Sequence, residues 1–209
     1  MISDLTKDER KILRALNSPQ KIQAFLDAMP INDEPQGDTC KSPRRVLRER
    51  NAHCIEGAML SAVALMMQGE RPLLLDLTSR RDDDDHVVAL FRRHNCWGAI
   101  SKTNHAVLRY REPIYRSIRE LTMSYFHEYF LQQGGAKTLR TYAVADLSRF
   151  NKRDWMTDEK DLWYIAEHLR DIPHKEILTR SQIAGLRRAD PIEIRAGEVV
   201  EWVKGKRIY

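Results

Sequence analysis

The residues of this chain best suited to covalent chemistry are Cys54 and His86. Cys54 starts an almost continuously apolar segment, residues 54–67, whose length favours a helix over a strand. The free N–H groups and positive dipole at a helix start favour a thiolate, and the same groups can hold the oxyanion of an attacked carbonyl. His86 follows the acidic residues 82–85 and opens a second apolar segment. The pair predicts a thiol nucleophile with an imidazole base.

A third group should orient the imidazole, and the sequence offers three candidates. If a turn at residues 94–95 joins two antiparallel strands, His86 faces Thr103 and shares a face of the sheet with Ser101. A one-residue slip in register would bring Asn104 to that face instead. An amide oxygen is the better acceptor for a ring N–H, which favours Asn104.

Five apolar segments predict the elements that position these residues. The segment 54–67 is apolar on all sides, which is typical of a central, buried helix. Residues 73–77 and 86–91 have the pattern of buried strands, residues 96–103 form the expected return strand, and 107–110 could add one more. The order of elements is a buried helix followed by antiparallel strands, which predicts an α+β fold.

Flanking segments predict further helices. Residues 5–16 are amphipathic, and Ser18-Pro19 is a plausible start for a second helix. Residues 32–43 are polar and contain Pro35, Gly37 and Pro43, so we expect an irregular connection. Pro113 is expected to open a long helix that ends at Gly134-Gly135. Farther on, residues 162–169 indicate a short helix.

The tail, residues 191–209, alternates apolar and polar residues about Ala196-Gly197, which is typical of a hairpin. The expected organisation is one domain with three parts. Residues 1–50 form an N-terminal helical extension, residues 51–135 the catalytic core, and residues 136–209 C-terminal helix and hairpin additions.

The core resembles the transglutaminase-like superfamily, which shares its architecture with papain-like cysteine proteases. The resemblance lies in a Cys that starts an apolar helix, a strand, a His at the head of a second strand and a Trp-containing third strand, over about residues 50–105. Further phrases are similar to those of a bacterial group within that superfamily, and they extend the resemblance to about residue 130: Glu56-Gly57-Ala58, residues 83–88, residues 97–104 and residues 109–113.

The resemblance implies that Cys54 is the nucleophile, that His86 is the base and that a polar residue on the next strand completes the site. The superfamily usually has Asp a few residues after the Trp. Here Ser101 stands near that place and Asn104 lies just beyond. In papain-like enzymes the third residue is an Asn, so Asn104 is the favoured candidate here. The expected substrate is a peptide or amide, with hydrolysis as the default because water is abundant.

The composition and charge pattern argue against several other classes of protein. The 209 residues carry a net charge of +5, with no stretch near the roughly 20 apolar residues that span a bilayer. The N-terminus has early acids and no apolar region, so we expect no signal peptide and a cytoplasmic location. The three cysteines should be thiols, with Cys40 exposed in its loop and Cys96 incidental. The acidic run 82–85 lacks spaced partners, so neither a metal nor a cofactor is expected.

Two alternatives use the same residues differently. An uncertain third residue is compatible with an inactive binding domain on the same fold. Basic segments at residues 44–50 and 109–119 could bind nucleic acid, although interleaved acids favour helix salt bridges. Glu56, in the first turn of the expected helix, should point away from Cys54, because a carboxylate beside the sulfur would raise the pKa of the thiol.

Overall fold

A computed structural model describes residues 2–34 and 36–209 and shows an α+β fold built on a six-stranded antiparallel sheet. The strand order is β4-β3-β2-β1-β5-β6, and a separate hairpin pairs β7 with β8. The strands are β1 (Leu73–Thr78), β2 (His86–Arg93), β3 (Cys96–Ile100), β4 (Arg111–Tyr115), β5 (Thr141–Asp146), β6 (Lys175–Glu176), β7 (Trp202–Val203) and β8 (Lys206–Arg207).

Eight α-helices surround the sheet within the described ranges. They are α1 (Lys7–Ala15), α2 (Pro19–Asp27), α3 (Pro43–Glu49), α4 (Cys54–Met66), α5 (Ile118–Met123), α6 (Trp163–Asp171), α7 (Arg180–Ala184) and α8 (Pro191–Gly197). Short 3₁₀ helices occur at Ile2–Asp4, Phe126–Glu128 and Leu147–Arg153. Among the helices of the described residues, none has both the length and the apolar character needed to cross a bilayer.

The helix α4 is central, as its all-round apolar sequence predicts. Every residue from Ile55 to Leu65 is buried. One side of α4 packs on β2, and the helices α1, α2 and α3 cover it from other directions. Because α4 is enclosed, its first residue, Cys54, is fixed relative to the ends of the strands beneath it.

Successive side chains along each strand point to opposite faces of the sheet, so the interior contains two hydrophobic cores. Leu74 of β1 and Val87 of β2 belong to the core shared with α4, whereas Leu75 and Val88 belong to a second core on the opposite face. The aromatic residues Tyr125, Phe126 and Tyr129 fill this second core. Apolar residues on both faces of β1 and β2 explain why these strands have continuous rather than alternating hydrophobic sequences.

The register of β2 and β3 is the one that places His86 and Ser101 on a common face. Arg93 lies opposite Cys96, and the ladder continues to Ala89 opposite Ile100. The turn residues His94 and Asn95 both have positive φ, 50° and 63°, as a two-residue hairpin loop requires. The slipped register that would bring Asn104 to this face is therefore excluded.

The C-terminal third of the chain contributes to the main sheet. β5 pairs with β1 along its whole length, from Leu73 opposite Asp146 to Thr78 opposite Thr141. β6 then pairs with β5 at the edge. Residues 136–209 are thus more than helix and hairpin additions, because β1 would be an edge strand without β5.

Two predictions between residues 107 and 135 were wrong. The strand expected at 107–110 lies at Arg111–Tyr115, so Pro113 is part of β4 and does not open a helix. Proline is tolerated there because β4 is an edge strand of the sheet. The helix α5 starts later, where the Ser117 side chain accepts a hydrogen bond from Glu120 N, and it spans only Ile118–Met123.

The predicted hairpin at the C-terminus was placed too early. Asp190 caps a helix with Pro191 in its first turn, and Asp190 N donates to Glu193 Oε2 at 2.7 Å, so α8 occupies Pro191–Gly197. The hairpin that does form is short and turns at Lys204 and Gly205, whose φ values are 48° and 71°.

Candidate active site

Cys54 is the first residue of α4, and the backbone around it is held on both sides. His53 has an extended backbone, and its N–H donates to Glu56 Oε2 at 3.0 Å. His53 O accepts from Gly57 N at 3.0 Å, which closes the first turn of the helix. The Cys54 thiol therefore lies at the positive end of α4, where N–H groups of the first turn lack intrahelical partners.

His86 lies at the head of β2 and is buried, with 6% of its surface exposed. Its Nε2 is 2.8 Å from Ser101 Oγ, and Ser101 Oγ donates to the Leu108 carbonyl at 2.5 Å. The serine hydroxyl has one proton, and the carbonyl can only accept, so Ser101 Oγ accepts from Nε2–H of His86. Nδ1 of His86 is then the ring nitrogen available to Cys54.

Ser101 itself is anchored by α2. Gln23 Oε1 accepts from Ser101 N at 3.0 Å, and Gln23 Nε2 donates to Ser101 O at 2.8 Å. All of these groups are buried, which fixes the orientation of the imidazole through a hydrogen-bonded chain that ends on α2.

Replacing Ser101 with alanine should lower the free energy of unfolding by about 1–3 kcal/mol, because a buried imidazole N–H loses its acceptor. Thr103→Ala is the matched control, since Thr103 Oγ1 accepts a hydrogen bond from the nearby, exposed His105 N and has no buried partner among the described residues. Denaturation in urea measures both variants. Equal losses for the two would show that Ser101 does not hold the imidazole.

Asn104, the favoured third residue, does not orient His86. Its side chain binds the backbone of Trp202 at both ends: Nδ2 donates to Trp202 O at 3.0 Å, and Oδ1 accepts from Trp202 N at 2.8 Å. The amide therefore anchors the C-terminal segment, although Asn104 also lines the cavity at Cys54. The structure brings Cys54, His86 and Ser101 together and leaves Asn104 in another role.

His53 is a second imidazole at the sulfur, and no pattern in the sequence indicated a catalytic role for it. Its Nε2 is 2.8 Å from the Thr39 carbonyl, 3.2 Å from Glu34 Oε1 and 3.5 Å from Glu56 Oε1. Because a carbonyl only accepts, Nε2 carries a proton and Nδ1 is left for Cys54. The signal in the sequence was its position immediately before the candidate nucleophile.

The two imidazoles activate the thiol. Burial by itself raises the pKa of Cys54, but hydrogen bonding and charge from His53 and His86 outweigh it and lower the pKa to about 5. For His53, burial lowers the pKa, while hydrogen bonding and charge from Cys54, together with the charge of Glu56, raise the pKa to about 9. Between these values the stable form is a thiolate beside an imidazolium.

Glu56 lies behind His53 and is completely buried. Its carboxylate accepts from Thr39 Oγ1 at 2.7 Å, Lys41 N at 2.9 Å, His53 N at 3.0 Å and Asn32 Nδ2 at 3.3 Å. Lys41 Nζ, also buried, lies 3.7 Å away. These contacts hold the 32–43 connection against the start of α4, so this irregular loop supplies the partners of His53.

Cys54 is half-buried and faces a cavity of about 770 Å³. The acidic residues 82–85 form one wall, and residues 128–133 form another. His53, His86 and Lys102 also line it. The thiol and both imidazoles are thus accessible to a ligand rather than sealed in the core.

The other cysteines differ from Cys54. Cys40 was expected to be exposed, but it is fully buried, because Cys40 N donates to Asp161 Oδ1 at 2.9 Å and Cys40 O accepts from Leu162 N at 2.7 Å. Burial raises the pKa of Cys40 to about 12, with the charge of Glu56 adding to the effect. Cys96 is half-buried beside its turn. Within residues 2–34 and 36–209, no group of three or more His, Cys, Asp or Glu side chains could hold a metal ion.

Five of the eight arginines in the two basic segments are engaged in ion pairs with acidic side chains. The pairs, with distances from 2.7 to 2.8 Å, are Arg44–Glu9, Arg45–Asp161, Arg48–Glu159, Arg109–Glu201 and Arg111–Glu128. Their charges are largely neutralised locally, which weakens the case for a polyanion surface.

Comparison of the sequence with models of known protein families and with curated proteins found no match.

Proposed function

We propose that the protein is a cysteine-dependent enzyme that hydrolyses an amide or peptide bond, with Cys54 as its nucleophile. One observation carries the proposal: a half-buried thiol at the start of α4, with a pKa of about 5, faces an open cavity between two imidazoles. Structural cysteines in cores are inert thiols, whereas a thiolate at neutral pH is the form that attacks carbonyl carbon.

The chemistry follows from these contacts. The Cys54 thiolate attacks the carbonyl carbon, and N–H groups at the start of α4 are placed to stabilise the oxyanion. The amine departs with a proton supplied by an imidazole, which leaves a thioester on Sγ. Water, deprotonated by an imidazole such as that of His86, then releases the acid. Hydrolysis rather than transfer to an amine is favoured because the cavity is open to water.

The position of the nucleophile on α4, of His86 on β2 and of Ser101 just beyond β3 supports a transglutaminase-like core, with Ser101 in place of the usual Asp. Thiolate chemistry is compatible with the reducing cytoplasm, which we propose as the location.

The pH dependence of alkylation tests the proposal. Labelling of Cys54 by iodoacetamide should be nearly constant from about pH 6.5 to 8 and fall as the pH drops through 5, since the thiolate is lost below its pKa of about 5. A thiol with an ordinary pKa of about 8.5 would instead react about tenfold faster per pH unit over the same range.

Peptide mass mapping after timed labelling distinguishes Cys54 from Cys96, which is also half-buried and serves as the internal comparison. A Cys54 rate that climbs tenfold per unit toward pH 8 would contradict the assignment of Cys54 as an activated nucleophile.

A further inference from the structure

The imidazoles of His53 and His86 both lie beside the sulfur of Cys54. A hydrogen bond at Nε2 of each ring gives both rings the same tautomer. Nε2–H of His53 is directed at the Thr39 carbonyl, and Nε2–H of His86 at Ser101 Oγ, which is itself bound to the Leu108 carbonyl. In both rings Nδ1 is the nitrogen left for Cys54. Hydrogen bonding alone therefore does not decide which ring holds the thiol proton.

The charges around the two rings differ. Carboxylate oxygens of Glu34 and Glu56 lie 3.2 and 3.5 Å from His53 Nε2. Lys41 offsets part of the charge of Glu56, at 3.7 Å, whereas the structure places no cation against Glu34 among the described ion pairs. The carboxylates of Glu34 and Glu56 near Nε2 thus stabilise the imidazolium form of His53.

His86 has a neutral partner instead. Ser101 Oγ occupies its Nε2, and no carboxylate within the described part of the chain lies at ion-pair distance from the ring. Its neighbour in the chain, Asp85, directs its carboxylate to Ser79 N at 2.7 Å. Proton transfer from Sγ therefore favours His53 over His86.

We propose that His53 is a second catalytic histidine, which holds the thiol proton at rest and delivers it to the leaving amine, while His86 takes the proton from the hydrolytic water. This inference rests on the proposed function. It separates the two half-reactions between two bases, each with its Nδ1 toward the same sulfur.

The proton balance is complete. In the resting state Sγ is a thiolate, and its proton is on Nδ1 of His53. Attack forms the S–C bond and moves the C=O electron pair to oxygen; the C–N bond then breaks, and the nitrogen takes the proton from His53. Water next loses a proton to Nδ1 of His86 as its oxygen bonds the thioester carbon. The C–S bond breaks to restore the thiolate, and His86 returns the proton to His53.

The ultraviolet absorbance of the thiolate, measured against pH, tests this assignment without a substrate. The parent protein is Cys96→Ala, and the signal of Cys54→Ala in that background is subtracted. Cys40 adds nothing near neutral pH because burial raises its pKa to about 12. The parent should show an inflection near 5.

His53→Asn and His86→Asn keep a polar group near Nδ1 but cannot be charged. The His53 variant should move the inflection upward by about two units, toward the ordinary thiol value of about 8.5, and the His86 variant by less than about one unit. The opposite result, with the large shift in His86→Asn, would assign the proton to His86 and overturn the inference while leaving a thiolate enzyme. A parent inflection near 8.5 would instead defeat the proposed function itself.

Glu34→Gln provides a second measurement should His53→Asn not fold. Glutamine retains the oxygen that accepts from Thr39 N but removes the charge 3.2 Å from His53. A smaller upward shift of the thiolate inflection supports the inference. Asp33→Asn is the control, since it removes the same charge from an exposed neighbouring position and should leave the inflection in place. Equal behaviour of the two variants would overturn the role given to Glu34 and His53.

Discussion

Replacing Glu56 with alanine is expected to lower the free energy of unfolding by about 3–5 kcal/mol, the usual cost of breaking a buried ion pair by removing one partner. Lys41 would remain buried, with 2% of its side chain exposed, beside the space left by the carboxylate. The N–H groups of Lys41 and His53 would lose their acceptor as well. Denaturation in urea with linear extrapolation measures the loss.

Glu49→Ala is the matched control for this prediction. Glu49 pairs with the same Lys41 Nζ at 3.5 Å, but its side chain is 34% exposed. Removing a partly exposed carboxylate should cost about 0–1 kcal/mol. If Glu56→Ala were no more destabilising than Glu49→Ala, the buried carboxylate would not be what holds the 32–43 connection to α4.

The Gly57→Ala variant should be less stable, although alanine is the better helix former. A Cβ at position 57 would lie 2.5 Å from Lys102 Cβ and 3.2 Å from Lys102 Cγ. Lys102 cannot move away easily, because it is buried and its Nζ donates to Leu26 O at 3.0 Å and to Met29 O. Overpacking of about 1–3 kcal/mol should exceed the gain of about 1 kcal/mol in helix propensity.

Gly185→Ala is the comparison for Gly57. Gly185 is exposed, has negative φ, and the nearest atom to its added Cβ would be 3.7 Å away. It should be neutral or stabilising by up to about 1 kcal/mol. Thermal melting of both variants, with Cys54 labelling as a readout of the site, checks the pair. A Gly57 variant as stable as the Gly185 variant would show that α4 and Lys102 are not in tight contact.

Local sequence signals predicted the elements nearest to the thiol well. The helix α4 begins at Cys54, and β2 begins at His86, as the apolar runs indicated. These signals are strong because each element is buried along most of its length, so hydrophobic residues mark its start and end.

Local sequence patterns gave wrong predictions where tertiary contacts decided the conformation of the chain. Residues from Ile114 to Tyr129 have helical spacing, yet Ile114 is in an exposed edge strand and Tyr129 follows a 3₁₀ helix. β5 was not predicted, although it lies between β1 and β6 in the sheet. A short strand has too few residues to show a clear hydrophobic pattern. Pairing with a distant strand also outweighs the local conformational preference of its residues.

The residues of the candidate site also fall into those that the local sequence indicated and those that only tertiary contacts revealed. Cys54 and His86 could be named from the sequence because each starts a strongly patterned element. Identifying Ser101 as the partner of His86 required the register of β2 and β3, since a slip of one residue would have placed Asn104 there instead. The partners of His53 required the approach of an irregular loop, whose backbone carbonyl and carboxylates carry no periodic signal.

The order of residues along the chain by itself determined a buried helix headed by a thiol and a strand headed by an imidazole, because hydrophobic burial is encoded locally. Only the tertiary structure decided that a second imidazole contacts the sulfur with Glu34 and Glu56 behind it, and that Ser101 rather than Asn104 supports His86. Hydrogen bonds and charges act over a few ångströms between segments far apart in the chain, and folding alone brings those segments together.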